Sequence, residues 1–244
     1  MSLIIGIAGD SGAGKTSLLS FFRNLWKDKL LIIEGDAYHL WERNDPNWNE
    51  YTPLNPKANN LSKAANDLNR LKSGMSSRLR DYNHDTGKFD EDHAIDPHDY
   101  IIHAGLHALA TQEMRELEDI KIFLNTDEDL RLFWKYKRDI NERGYTKERV
   151  AESLKRRIAD SKKYIKPQLL YADIVINIYD DNLIFDDFNY QPKLTMSIQI
   201  NKNCKYVKEI LHILKNINFK VTEDEKFICA QYSEQFEHFQ SINI

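Results

Sequence analysis

Gly9, Gly14, Lys15 and Thr16 stand at the spacing GxxxxGK[ST] inside GIAGDSGAGKTSL, residues 6–18. That spacing suits the gripping of phosphate. Small residues let backbone N–H groups approach an anion, and a helix starting near Lys15 adds further donors. Gly9, Asp10, Ser11, Gly12, Ala13, Gly14, Lys15, Thr16 and Ser17 together read as the cradle of a nucleoside triphosphate. Lys15 would bridge the β and γ phosphates and the Thr16 hydroxyl would ligate Mg²⁺, so ATP and Mg²⁺ are the expected cofactors. The loop does not say where the phosphate goes. Hydrolysis, transfer and binding alone all stay open.

Asp36 narrows the choice. It follows the apolar run Leu30 to Ile33 and sits at the end of a predicted strand. A carboxylate there would accept a proton from a hydroxyl, or help to place Mg²⁺; its plainer role is to cap a turn. Phosphoryl transfer needs the attacking oxygen aligned with the γ phosphate and its developing charge managed. His39 and Arg43 follow at spacings that share one face of a short helix or turn. His39 would hold a hydroxyl or phosphate, and Arg43 a phosphate through charge-assisted hydrogen bonds. Ordinary packing and a surface ion pair are the alternatives.

The elements that must position these groups are read from hydrophobic periodicity. Leu3 to Ala8 is apolar apart from glycine and predicts a buried first strand, followed by a turn at Gly9 to Gly14 and a helix from Lys15 to Trp26. Further strands are predicted at Leu30 to Ile33, Tyr100 to His103, Ile120 to Leu124 and Asp173 to Ile178. Helical segments between them favour a mostly parallel sheet covered on both faces, with ligands beyond the carboxyl ends of the strands. Leu130, Phe133 or Trp134, and Ile140 form one helical stripe; Thr146 caps a second helix carrying Val150, Leu154 and Ile158. Asp45 to Asn60 and Asp81 to Pro97 read as loops that would shape a pocket.

A boundary is expected at DDNLIFDDFN, after Asp180. It divides a core, residues 1–180, from residues 181–244, whose last part suggests strand, helix and strand. This small α/β extension would either lengthen the main sheet or pair two subunits into a homodimer.

Composition sets outer limits. The 244 residues carry a formal net charge of −4, so a general nucleic-acid surface is not expected. Between Arg131 and Gln168, however, 13 basic residues face 5 acidic ones, a local balance of +8. Such a segment is either a solvated helical face or a clamp for anionic ligands. No apolar run is long enough to span a bilayer, no secretory signal is visible, and two cysteines make no disulfide framework. The expectation is a cytoplasmic protein without a membrane partner.

The ordered set GIAGDSGAGKTSL, EGDAYHLWER, TPLNPKANN, DYNHDTG, AGLHAL, FWKYKRDINERGYT and YIKPQLLYADIVI resembles the phosphoribulokinase/uridine kinase family over residues 1 to about 180. TPLNPKANN is more similar to the phosphoribulokinase branch. The resemblance implies a P-loop NTPase-like three-layer fold and ATP-dependent phosphorylation of a small sugar phosphate. A uridine or other nucleoside acceptor, or an ATP-binding regulatory relative, are the alternatives. By position it makes Asp36 the catalytic base and a Mg²⁺-linked carboxylate, and Lys15 its catalytic companion. It places His39, Arg43, Tyr82 and His84 in the sugar-phosphate pocket, with Asn83 orienting the loop. It gives Lys135, Arg138 and Arg143 to phosphate or substrate contacts, supported by Asp139, and Arg157 (beside Arg156) to a lid over ATP. One position departs. Where the family motif reads Glu-Gly-Leu-His, this chain has Ala104, which offers no oxygen to Mg²⁺, and neighbouring His103 should point to the opposite face.

Overall fold

The computed structural model of the protein describes residues 2–141, 144–187, 189–216 and 219–232. Strand β1 (Leu3–Gly9) runs into the phosphate loop and helix α1 (Lys15–Trp26), and β2 (Leu30–Glu34) follows. Next come the short α2 (Asn47–Glu50) and α3 (Leu61–Lys72), then the small strands β3 (Ser77–Leu79), β4 (Tyr82–Asn83), β5 (Lys88–Phe89) and β6 (His93–Ile95). The chain returns to the sheet through β7 (Tyr100–Gly105), α4 (Gln112–Leu117) and β8 (Ile120–Thr126). Helices α5 (Glu128–Asn141) and α6 (Lys147–Asp160) then precede β9 (Ile174–Tyr179). The C-terminal part adds β10 (Thr195–Asn201), α7 (Val207–Asn216), β11 (Phe219–Glu223) and β12 (Phe227–Tyr232).

The main sheet runs β11-β12-β10-β9-β8-β1-β7-β2. Strands β2, β7, β1, β8 and β9 are parallel, while β10, β12 and β11 join by antiparallel pairing. The fold is therefore α/β, with a mostly parallel sheet between layers of helix. Alternation along the strands divides the core. Ile4, Ile33 and Ile101 pack against Leu68, Leu71 and Met114 from α3 and α4. Ile5, Ile7, Ile102 and Ile122 pack with Leu19 of α1 on the other face. Period-two burial of this kind separates two layers on a single sheet.

Several details differ from the periodicity reading. The stretch Asp45 to Asn60 holds α2 and a 3₁₀ turn at Pro56–Ala58, where Asn55 accepts from the Lys57 N–H. Helix α3 follows directly, capped by Asn60 accepting from the Lys63 N–H. The segment FKVTEDEKFICAQ forms a hairpin, not one strand: the Asp224 side chain accepts from the backbone N–H groups of Lys226 and Phe227 and turns the chain. Thr146 does cap α6, accepting from the Arg149 N–H at 3.2 Å. Phe133, rather than Trp134, is the fully buried member of the α5 stripe. Among the described residues, no helix is long and apolar enough to cross a membrane.

Candidate active site

The loop between β1 and α1 turns through two left-handed glycines, Gly12 at φ 84° and Gly14 at φ 89°. A side chain at either would be strained, since L-residues rarely adopt that region. A Cβ on Gly14 would meet nothing within 4 Å, so the space over the helix start is open. Lys15 folds back along the loop and donates from Nζ to the Gly9 carbonyl at 2.7 Å and the Asp10 carbonyl at 2.8 Å. Burial lowers its pKa to about 8, against the opposing charges of Asp10 and Asp36. Thr16 is exposed at the start of α1, and Ser17 is half-buried. The loop is braced from outside: Thr126 donates to the Ala13 carbonyl at 2.9 Å and Arg131 to the Ser11 carbonyl at 3.2 Å. Asp10 is buried. Its carboxylate accepts from the Ser11 N–H and, at its other oxygen, from the Ser161 hydroxyl.

Asp36 lies just beyond β2, in a 3₁₀ turn at Gly35–Tyr38. Each carboxylate oxygen faces an imidazole: Oδ1 is 3.2 Å from His39 Nε2, and Oδ2 is 3.0 Å from His84 Nε2. Burial would raise the Asp36 pKa, but the hydrogen bonds and charge of His39 and His84 outweigh it and hold the carboxyl well below its usual range. Asn59 fixes the His39 ring. Its Nδ2 donates to the carbonyls of Pro53 and Asn55, both at 3.0 Å, which leaves Oδ1 to accept from His39 Nδ1 at 2.8 Å. A ring that donates from Nδ1 meets a carboxylate favourably only with hydrogen on Nε2 as well. The Asp36 carboxylate is the acceptor of this contact. Tyr82 stands between the two histidines, its ring centroid 5.3 Å from each. Trp48 closes the other side of His39, also at 5.3 Å.

Arg43 donates to the carbonyls of His84 and Asp85, so its guanidinium ties down the DYNHDTG turn in this structure. Asn83 holds the same turn, accepting from the N–H groups of Asp85 and Thr86. On α5, Lys135 and Asp139 form a buried pair at 2.7 Å, and Arg138 reaches the other Asp139 oxygen at 2.9 Å. Both side chains are interior and form no part of a solvated helical face. Burial lowers Lys135 to about 8, with the Arg157 charge adding to the effect. Arg157 itself feels Asp139, Asp10 and Asp36, which sets it among the loop, the α5 pair and the carboxylate. Arg156 donates to the Trp48 carbonyl at 3.2 Å. Arg143 lies outside the described residues.

Sequence reading missed several groups. Asp160 and Ser161 close α6: Asp160 accepts from Thr52 at 2.8 Å, and Ser161 bonds Asp10. The segment Ser161–Ile165 is a π-helical turn, a form found often at functional sites. His107 and Asn59 carry no spacing signal of their own, although they lie within AGLHAL and TPLNPKANN. His103 faces away from Ala104, as expected, and bonds Glu118 at 3.1 Å inside the core. Gly6 makes room for that carboxyl, because a Cβ there would lie 2.3 Å from Glu118 Cδ.

The sequence profile of the "Phosphoribulokinase / Uridine kinase family" matches residues 4–185. A phosphoribulokinase of Synechocystis sp. is 37% identical over 185 residues, covering 75% of this chain and 56% of that protein. A uridine kinase of Streptococcus mutans is 32% identical over 197 residues, covering 76% of this chain and 91% of that protein. The chain spans about half the length of the phosphoribulokinases it matches, 56% of the Synechocystis protein and 51% of the spinach one. Among solved structures, the phosphoribulokinase from Rhodobacter spheroides superposes with a TM-score of 0.73 at 20% identity, covering 94% of this chain and 90% of that one. That likeness concerns the fold, a P-loop kinase sheet. Sequence and fold converge: the chain belongs to the phosphoribulokinase/uridine kinase family.

Proposed function

We propose that this protein transfers the γ-phosphoryl group of ATP to a hydroxyl of a small sugar phosphate, in the manner of a phosphoribulokinase. The observation that carries this reading is Asp36, its carboxylate held between His39 and His84 and electrostatically coupled to Lys15 of the phosphate loop.

The residues present fit a nucleotide. The space over Gly14 is open, the loop glycines allow close approach, and Lys15 has only neutral carbonyls as hydrogen-bond partners, which phosphate oxygens would replace. Thr16 and Asp36 would hold Mg²⁺, with nucleotide oxygens and water completing the shell. When bound, the ion neutralises charge on the phosphates. The rest falls to the chain. Lys15 and Arg157 stabilise charge on the transferred group, and Asp36 orients the acceptor hydroxyl and takes its proton. A carboxyl held this low is a weak base, but a loose transition state needs little deprotonation before transfer. His39 and His84 keep Asp36 ionised and aimed. Tyr82 walls the pocket, and the Lys135–Asp139–Arg138 cluster presents positive charge for the acceptor's own phosphate.

A second reading has one observation in its favour. Ala104, at 4% exposure, supplies no oxygen at the strand end, which suits a regulatory ATP-binding relative that does not turn over. Mass-spectrometric identification of products from ATP with ribulose 5-phosphate, other pentose phosphates and uridine separates these. A phosphorylated pentose phosphate supports the proposal; ATP binding without any phosphorylated product supports the second reading.

A further inference from the structure

Behind Asp36 lies a cavity of about 10 Å³, lined among others by Tyr38, His39, Asn59, His103 and His107. That volume is near the lower limit for one water or one hydroxyl group. His107 is buried, at 6% exposure. Its Nε2 is 3.1 Å from the Pro53 carbonyl, which can only accept, so Nε2 carries the hydrogen. The neutral ring then has a bare Nδ1, and this atom is buried with no hydrogen-bond partner among the described residues. A buried acceptor left unsatisfied loses its solvation with nothing in return, so such an atom calls for a donor.

We propose that His107 Nδ1 accepts a hydrogen bond from one hydroxyl of the acceptor, a hydroxyl other than the one phosphorylated, seated in this cavity beside Asp36. The inference rests on the kinase reading above and deepens it by naming a specificity residue. Chemistry limits the guest. A bare imidazole nitrogen cannot bond a ketone oxygen or an ionised phosphate, since both only accept; it selects a hydroxyl. Burial supports the neutral ring, lowering the His107 pKa to about 4 against the opposing Pro53 hydrogen bond, so the acceptor role holds across neutral pH. Pro53 and Asn59 belong to the same TPLNPKANN stretch, and Asn59 also donates to the Pro53 carbonyl. One loop therefore sets both His39 toward Asp36 and the tautomer of His107.

Two substitutions separate the ring's two ends. His107→Gln carries an amide to the Nε2 position and keeps a donor for Pro53, but it removes the acceptor at Nδ1. His107→Asn places Oδ1 near the Nδ1 position and loses the Pro53 bond. Steady-state kinetics would use ATP with ribulose 5-phosphate and with its 3-deoxy and 4-deoxy analogues. The expected result is a loss of about ten- to a hundredfold in kcat/KM for ribulose 5-phosphate in His107→Gln, with the KM for ATP unchanged and a smaller loss in His107→Asn. One deoxy analogue should show the same loss in the wild type and little further loss in His107→Gln. Equal kcat/KM in wild type and a folded His107→Gln, or fully additive losses with both analogues, would overturn the role of His107 alone. Should His107→Gln fail to fold, equal wild-type rates on ribulose 5-phosphate and both analogues overturn it. Absence of transfer from ATP to any acceptor of the panel overturns the kinase reading, and this inference with it.

Discussion

Two carboxylates in this molecule each face histidine, and they end in opposite states. Asp36 has a side chain 30% exposed, with one imidazole on each oxygen. Glu118 has a fully buried side chain, one imidazole on Oε1, and nothing on Oε2 among the described residues. Burial pushes the Glu118 carboxyl up to about 7, while His103 pulls the other way. At Asp36 the two imidazoles outweigh burial and the carboxyl stays ionised. The pairing residue is the same in both places. What decides the charge is the second oxygen: satisfied, it lets the anion persist; orphaned in the core, it favours the neutral acid. The anion sits where the proposed transfer would activate a hydroxyl. The near-neutral acid sits under the middle of β1, where it packs against Gly6.

The sharpest break in this contrast is Asp36→Asn, which keeps the side-chain volume but removes the proton acceptor. Single-turnover transfer should fall by about 10²–10⁴-fold while ATP affinity changes little. Near-normal transfer by the folded variant would remove Asp36 from the base role and leave the phosphate loop untouched.

Glu118→Gln tests the other member. A carboxyl raised above its ordinary 4.5 contributes stability that is fully present below pH 4.5 and is lost as pH rises through about 7. Wild-type unfolding free energy should therefore lose on the order of 3 kcal/mol across that window, and the amide variant should lack this slope. Urea titrations at several pH values read it directly. Parallel slopes would show that Glu118 is as charged as Asp36, and the contrast would collapse.

Gly6→Ala forces a methyl group into the space that Glu118 occupies. We expect a loss of about 1–3 kcal/mol in thermal or urea unfolding. Combined with Glu118→Ala, the loss should be smaller than the sum, because the clash then disappears.

His84→Asn should matter least. Its imidazole is half-exposed, and such contacts are worth about 0–1 kcal/mol. At saturating acceptor, single-turnover transfer should drop by about fivefold or less. A drop matching that of Asp36→Asn would show that the exposed imidazole, not the buried His39, holds the carboxylate.

Legibility in the sequence followed the distance over which the cause acts. The phosphate loop is contiguous, and its glycines, Lys15 and Thr16 declare their task by spacing alone. Thr146 declared its helix start because a cap needs only three further residues. The parallel strands were legible as apolar runs. Gly6 was not legible, since its reason, Glu118, lies far along the chain. The proposed acceptor pocket was only partly so: Asp36 and His39 share a turn, but Asn59, His107 and the turn at His84 arrive from other segments. Their roles follow from which carbonyl each nitrogen meets, and periodicity carries no such information. The helical pattern of Leu61–Lys72 passed unnoticed beside the prolines before it, and the charged TEDEK run hid a hairpin turn.

Under the proposed function, the end of α6 has a consequence for how nucleotide and acceptor would be spaced. Asp160 accepts from Thr52 of the TPLNPKANN stretch, and the next residue, Ser161, donates to Asp10 of the phosphate loop. Two adjacent residues thus act as the jaws of a caliper whose opening is set by a single helical turn. Shortening or lengthening either side chain there would, under the proposed transfer, alter the gap that the phosphoryl group crosses, with every loop residue left in place. Reach, on this reading, is gauged from the side.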